Sequence, residues 1–189
     1  NKEEAEMMIA PLETQVRSIL GENIWGTDDE TLESVVGILL REMGLTLAIM
    51  ESCTGGLLSH ILTDVPGSSD YFKEGLVSYS NELKIAFGVK AALIAQHGAV
   101  SREVAEDMAE AARSCLGADI GIGITGVAGP DELEGKPVGT TYIAVADGTR
   151  KRSIHAVYPQ RRPEIKRHAA LGALFELRRL LLDSKTSQL

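Results

Sequence analysis

A serine, a tyrosine and a lysine lie close together in the chain and could jointly activate a hydroxyl nucleophile. Ser69 falls in a tight Gly-Ser-Ser turn, Tyr79 in a strand-like segment, and Lys84 one turn into the helix predicted after it. A lysine acts as a general base only where burial or neighbouring cations lower its pKa toward the working pH. A helix cap, a hinge residue and a solvated lysine would show the same spacing, so the pattern alone leaves catalysis open.

A glycine turn stands between a predicted buried strand over 45–50 and a predicted helix over 57–62, and reads Glu-Ser-Cys-Thr-Gly-Gly over 51–56. Gly55 and Gly56 should leave backbone N–H groups open to a ligand. Open α/β sheets bind small molecules at such strand ends. An ordinary helix cap with a tight turn is the structural alternative.

Two other nucleophilic arrangements are weighed against the serine and lysine. Cys53 would lie near a helix N-terminus, where a thiol pKa falls, although a small cysteine at a strand end is more often a packing residue. A Ser–His–Asp triad would need His97, which directly precedes Gly98 and is more typical of a helix end.

The elements that must position these residues alternate between strands and helices, with one late hairpin near Asp147-Gly148 and a long closing helix from Pro163 to about Leu182. This order predicts an α/β fold, a three-layer α/β/α sandwich with a mixed sheet. The predicted strand over 120–125 is thinned by glycines, which indicates close approach by a neighbour or a ligand. We divide the chain into a leader over 1–27 and a main domain over 28–189.

Composition narrows the class of protein. The 189 residues carry a formal charge of −8, yet ten of the 19 Lys and Arg lie within 150–189. An acidic body argues against broad nucleic-acid binding. Two cysteines and four scattered histidines make neither a disulfide framework nor a zinc site. Because no membrane span or signal peptide is visible, we expect a cytoplasmic protein.

Six short motifs occur in one order: Glu-Ser-Cys-Thr-Gly-Gly, Pro-Gly-Ser-Ser, Val-Ser-Tyr-Ser-Asn-Glu-Leu-Lys, His-Gly-Ala-Val-Ser, Thr-Gly-Val-Ala-Gly-Pro-Asp and Lys-Pro-Val-Gly-Thr. Together they closely resemble the CinA C-terminal domain family, which includes bacterial nicotinamide mononucleotide amidases, over about residues 28–182. The resemblance implies hydrolysis of the carboxamide of that nucleotide, without metal or cofactor. It also implies fusion of the leader to an N-terminal molybdopterin-binding-like domain.

The resemblance also implies roles for individual residues. The family's catalytic serine and lysine fall on Ser69 and Lys84, and its tyrosine on Tyr79. Substrate-binding positions fall on the remaining motif residues, which are Ser52, Thr54, Gly55, Gly56, Thr125, Gly126 and Arg162. Phosphate is expected at the 54–56 turn or at Arg162, because glycine-turn amides and guanidinium groups both bind it.

Two departures and one alternative accompany the resemblance. Pro130-Asp131 is followed by Glu132-Leu133 where the family commonly has two glycines, and the segment over 159–162 reads Pro-Gln-Arg-Arg where Pro-Gly-Asp-Arg is usual.

The alternative function is a weakly active or non-catalytic module with a scaffold role in competence or DNA damage. We expect a homo-oligomer, with a subunit contact or simple core packing explaining the apolar face formed by Ala170, Leu174, Leu177 and Leu181.

Overall fold

The computed structural model describes residues 1–158 and 161–186, without the side chains of Lys2 and Thr186. The helices are α1 (Lys2–Leu20), α2 (Leu32–Met43), α3 (Leu57–Thr63), α4 (Asn81–Ala86), α5 (Ala91–His97), α6 (Arg102–Cys115) and α7 (Arg162–Thr186). The strands are β1 (Leu47–Glu51), β2 (Phe72–Val77), β3 (Ile120–Gly126), β4 (Thr140–Ala146) and β5 (Lys151–Val157). Among the described residues, no helix has both the length and the apolar character needed to cross a membrane.

The sheet has the order β2-β1-β3-β4-β5 and confirms the predicted mixed topology. β1 runs parallel to β2 and β3, whereas β4 and β5 form an antiparallel hairpin beside β3. Glu51 pairs with Val77 on one side and Ile124 on the other, so the three parallel strands end at one edge. Since the next two strands in the chain, β2 and β3, lie on opposite sides of β1, this edge is where an open α/β sheet forms its binding crevice.

Helices cover both faces of the sheet, as the predicted three layers require. α2, α3 and α7 pack together over one face, and α6 packs on β1, β3 and β4 from the other. The apolar face of α7 is fully buried within the first of these cores: Ala170, Leu174, Leu177 and Leu181. These four residues are therefore core residues, and the alternative reading of them as a subunit contact is wrong.

The glycines of β3 allow α6 to lie directly on the strand. A Cβ at Gly121 would sit 1.9 Å from the Ala109 carbonyl oxygen, and one at Gly123 would sit 2.2 Å from that of Ala105. Neither distance is compatible with a side chain. The close neighbour that the glycines predicted is thus a helix of the same domain.

Three local boundaries bear on the site and on the segment before it. α1 continues through Pro11 as one helix, and Thr31 caps α2. β2 begins at Phe72, which places the Ser68–Asp70 turn just ahead of the amino end of that strand.

Candidate functional site

Lys84 and Ser52 meet at the carboxyl edge of the parallel strands. Lys84 is only 2% exposed, and its Nζ lies 3.1 Å from Ser52 Oγ and 2.8 Å from the Ser78 carbonyl oxygen. Ser52 directly follows β1 and Ser78 directly follows β2, and Ser80 caps the short helix that carries the lysine. Burial lowers the pKa of Lys84 from its ordinary 10.5 because the charged amine loses its hydration. An uncharged amine at this distance can accept the serine proton.

The predicted pairing of Ser69 with Lys84 is wrong. Ser69 is exposed in the turn before β2, and Phe72, three residues later, pairs with Leu47 at the amino edge of the sheet. β2 then runs its full length before Ser78 is reached, which separates the two side chains by roughly 20 Å at about 3.3 Å per residue. The motif serine that meets the lysine is Ser52, which sequence reasoning had assigned only a supporting place.

Glu51 holds the turn that carries Ser52. Its buried carboxylate accepts hydrogen bonds from the backbone N–H of Gly56, Leu58 and Ser59, at 3.0, 3.2 and 2.9 Å, and from Ser59 Oγ at 2.7 Å. The amide of Gly55 in turn donates to the Ser52 carbonyl oxygen. The prediction that Gly55 and Gly56 offer open amides to a ligand is therefore wrong, because the protein itself uses them.

A sequence signal for Glu51 did exist. α3 begins after Gly56, which has no side chain, so the N–H groups of its first turn needed an acceptor from elsewhere. Glu51, at the end of the preceding strand, is the last carboxylate in the chain before that turn. Thr54, in the same turn, is fully buried, and its hydroxyl lacks a hydrogen-bond partner among the described residues.

Tyr79 and Arg162 pair on the opposite wall of the site. Arg162 donates through Nη2 to the Tyr79 hydroxyl at 2.8 Å and through Nη1 to the Gly129 carbonyl oxygen at 2.5 Å. Tyr79 therefore binds the arginine, and within the described residues the hydrogen-bond partners of Lys84 Nζ are Ser52 and Ser78, not this tyrosine. Arg162 opens α7, and Pro159 and Gln160 of the altered segment before it lie outside the described residues.

These residues line a single cavity of about 400 Å³, within the range of small-molecule sites. Its floor contains Ser52, Cys53 and Lys84, and its walls contain Tyr79, Arg162 and the loop from Gly126 to Glu134. Thr125 also borders the cavity, but its hydroxyl donates to the Ala99 carbonyl oxygen at 2.8 Å. The structure thus brings together Ser52, Tyr79, Lys84, Thr125, Gly126 and Arg162 of the predicted set.

Glu134 fixes the loop over this cavity and was missed by sequence reasoning. Its carboxylate accepts from the backbone N–H of Ala99 at 2.8 Å and of Val100 at 3.1 Å. Its own backbone has a φ of 54°, which a side-chain-bearing residue rarely adopts. This loop replaces the two glycines common in the family, and one of its carboxylates anchors it to the turn after α5.

The two other nucleophile hypotheses lose support. Burial raises the pKa of Cys53 to about 12, so its thiol stays protonated at neutral pH. His97 is the last residue of α5, where its Nδ1 lies 3.8 Å from a Glu103 carboxylate oxygen, and it does not line the cavity. The interpretation of His97 as a helix-end residue is confirmed.

Comparison with known proteins identifies the family to which these residues belong. The family model described as the CinA C-terminal domain matches residues 29–181. A competence-damage inducible protein of Moorella thermoacetica is 48% identical over 183 residues, which cover 96% of this chain and 44% of that relative. A CinA-like protein of Geobacter sulfurreducens is 47% identical, covering 97% of this chain and 45% of its own length. The chain therefore spans less than half the length of these curated relatives.

Solved structures resemble this one closely. A CinA superfamily protein from Klebsiella pneumoniae superposes with a TM-score of 0.78 at 30% identity, covering 80% of this chain and 96% of that one. The competence/damage inducible protein CihA from Agrobacterium tumefaciens gives 0.76 at 31% identity, covering 84% and 98%. These two solved structures therefore share the fold of this chain.

Proposed function

This chain belongs to the CinA C-terminal domain family, and from that membership we propose that it is a cytoplasmic amidase of pyridine nucleotide salvage. The reaction is hydrolysis of the carboxamide of nicotinamide mononucleotide to nicotinate mononucleotide and ammonia. One observation carries the proposal: a buried lysine amine lies 3.1 Å from the hydroxyl of Ser52 at the floor of a small cavity. The serine of the reaction is thereby reassigned from Ser69 to Ser52.

The first half of the reaction forms an acyl-enzyme. Uncharged Lys84 accepts the Ser52 hydroxyl proton while Ser52 Oγ bonds to the amide carbon. The tetrahedral intermediate then collapses, the carbon–nitrogen bond breaks, and Lys84 returns its proton to the departing nitrogen, which leaves as ammonia. The cationic pyridinium of the substrate both activates the carbonyl and disfavours protonation of Lys84.

The second half repeats the proton transfers with water. Lys84 takes a proton from water and the hydroxide oxygen adds to the acyl carbon. The ester bond to Ser52 then breaks as Lys84 returns its proton to Ser52 Oγ, which releases the carboxylic acid and restores both side chains. Ser52 lies on a strand-to-helix turn held by Glu51, an arrangement in which the backbone N–H after the nucleophile serves the developing oxyanion. We assign that role to the N–H of Cys53.

Substitution of the two serines tests the assignment. We expect the purified chain to release ammonia from nicotinamide mononucleotide, and Ser52→Ala to lower kcat by at least about a thousandfold, since nucleophile removal typically costs more than that. Lys84→Met should have a comparable effect because the proton acceptor is lost.

Ser69→Ala is the matched control, because it removes the same hydroxyl from the same protein at the far edge of the sheet. Its kcat should equal that of the wild type. Activity that survives Ser52→Ala but disappears in a folded Ser69→Ala variant would reverse the assignment. A well-folded wild type that releases no ammonia would favour the scaffold function instead.

A further inference from the structure

A second cleft adjoins the cavity and shares one of its walls. It has a volume of about 620 Å³ and lies between α3 and α7. Arg162 lines both the cleft and the Ser52 cavity, so the two spaces share this residue as a wall. The remaining charged or titratable residues of the cleft are His60, Lys166 and Arg167, with the acids Glu33 and Asp64.

Lys166 projects from α7 over the turn that carries the nucleophile. Its Nζ lies 3.5 Å from the position that a Cβ would occupy at Gly55, and its charge acts on the buried Cys53 thiol. Gly55 has a φ of 61° and no side chain, which leaves room for the amine beside the turn. The lysine therefore lies in the cleft, against Gly55, which follows Ser52 by three residues in the turn that begins at that serine.

The cation of Lys166 has no carboxylate partner within the described parts of the chain. Asp64, an acid of the same cleft, lies beside a histidine and not beside this lysine, with its Oδ2 3.8 Å from His60 Nε2. Arg162 uses two of its donors on Tyr79 and Gly129, and a guanidinium has five. Lys166 and Arg162 thus leave positive charge and hydrogen-bond donors available where the two spaces join.

The helix N-terminus beside them cannot take an anion, because Glu51 already occupies the first-turn amides of α3. A phosphate attached to a substrate seated at Ser52 must then be bound by side chains, and α7 supplies them. We propose that Lys166, together with Arg162, binds the phosphate of the pyridine mononucleotide and so selects phosphorylated over unphosphorylated carboxamides. This inference rests on the proposed amidase function.

A comparison of two substrates across three proteins tests the proposal. The substrates are nicotinamide mononucleotide and its nucleoside, nicotinamide riboside, which differ only by the phosphate. The proteins are the wild type, Lys166→Ala and Lys151→Ala, the last removing an exposed lysine from β5. The quantity compared is the ratio of kcat/KM for the nucleotide to kcat/KM for the nucleoside.

We expect the wild type to prefer the nucleotide and Lys166→Ala to reduce that ratio by about tenfold or more, as loss of a charge-assisted hydrogen bond would. Lys166→Arg should recover part of the preference, and Lys151→Ala should keep the wild-type ratio. An unchanged ratio in Lys166→Ala, or a wild type that does not discriminate, overturns the inference while leaving the amidase function intact.

Binding separates this inference from the function on which it rests. If the wild type releases ammonia from neither compound, the amidase proposal fails, and calorimetric titration of both compounds into the wild type and Lys166→Ala decides the phosphate site alone. Phosphate-dependent affinity that is lost in Lys166→Ala supports the site. Absence of such affinity in the wild type overturns it.

Discussion

At the scale of single residues, the central feature of the site is that Lys84 is buried and contacts a serine hydroxyl and a carbonyl oxygen. An ammonium at this position would donate to both Ser52 Oγ and the Ser78 carbonyl oxygen. After deprotonation, the bond to Ser52 can reverse direction, with the hydroxyl donating to the amine lone pair, while the Ser78 carbonyl still receives an amine hydrogen. The same two contacts therefore fit both protonation states of the proposed reaction.

The pH dependence of activity follows from the lowered pKa of Lys84. In the proposed reaction the active form is the uncharged amine, so kcat/KM should rise with pH through the lysine pKa, with the midpoint of the rise below 10.5. A pH–rate profile on nicotinamide mononucleotide measures this. An ascending limb centred at or above 10.5 would contradict a buried base.

The lowered pKa of Lys84 should also make the free energy of unfolding depend on pH. Because the folded-state pKa lies below the unfolded value of 10.5, the folded protein binds fewer protons between the two. Burial of the ammonium lowers the free energy of unfolding at pH values below the folded-state pKa, and this loss is recovered as the pH rises toward 10.5. Urea unfolding of Lys84→Met, which lacks the amine, should show a smaller rise across that window than the wild type.

The motifs of the sequence identified Lys84, Tyr79, Ser52 and Arg162 as site residues but paired the lysine with the wrong serine. The resemblance placed the catalytic serine on Ser69, in a motif fifteen residues before Lys84. Contact between Ser52 and Lys84 depends instead on the parallel pairing of β1 with β2. The residues around Ser52 in the sequence do not indicate that Lys84 lies beside it.

At the scale of elements, the site is assembled by strand ends and by two carboxylates that bind backbone amides. Glu51 joins β1 to the first turn of α3, and Glu134 joins the cavity loop to the turn after α5. Alternation of apolar segments was sufficient to predict the mixed sheet and most helices. The start of β2 was not predictable, because its first residues gain strand structure only from pairing with β1.

Glu51→Gln tests how much the turn depends on its carboxylate. The replacement keeps the size of the side chain, but its NH₂ group would face backbone N–H donors and leave at least one of them without an acceptor. We expect a loss of about 2–3 kcal/mol in the free energy of unfolding, as for a buried donor stripped of a charged partner. Urea denaturation measures it.

A matched control for that variant is Glu74→Gln, an exposed carboxylate on the neighbouring strand β2. It should change the free energy of unfolding by less than about 0.5 kcal/mol. Glu51→Gln should also lower kcat, since the displaced turn carries Ser52. Equal stability of the two variants would show that Glu51 does not support the turn.

At the scale of the whole molecule, the folded domain and the segment before it are weakly joined. Every described side chain of α1 is exposed, including Met8, Leu12, Val16 and Ile19 on one helix face. The segment after α1 does contact the domain, since Arg178 of α7 donates to the Glu22 and Ile24 carbonyl oxygens at 2.9 and 3.0 Å. Relatives more than twice as long accord with the predicted fusion to a further domain.

Two truncations locate the functional boundary of the domain. Removal of residues 1–20 should leave the free energy of unfolding unchanged within about 0.5 kcal/mol, because α1 contributes no buried side chain. Removal of 1–27 should cost about 1–3 kcal/mol, because the half-buried Arg178 guanidinium loses its two hydrogen bonds to carbonyl oxygens. Both should retain kcat on nicotinamide mononucleotide, since neither touches the cavity. A large loss of stability on removing 1–20 alone would mean that α1 packs against the domain in solution, and the boundary at residue 28 would then be wrong.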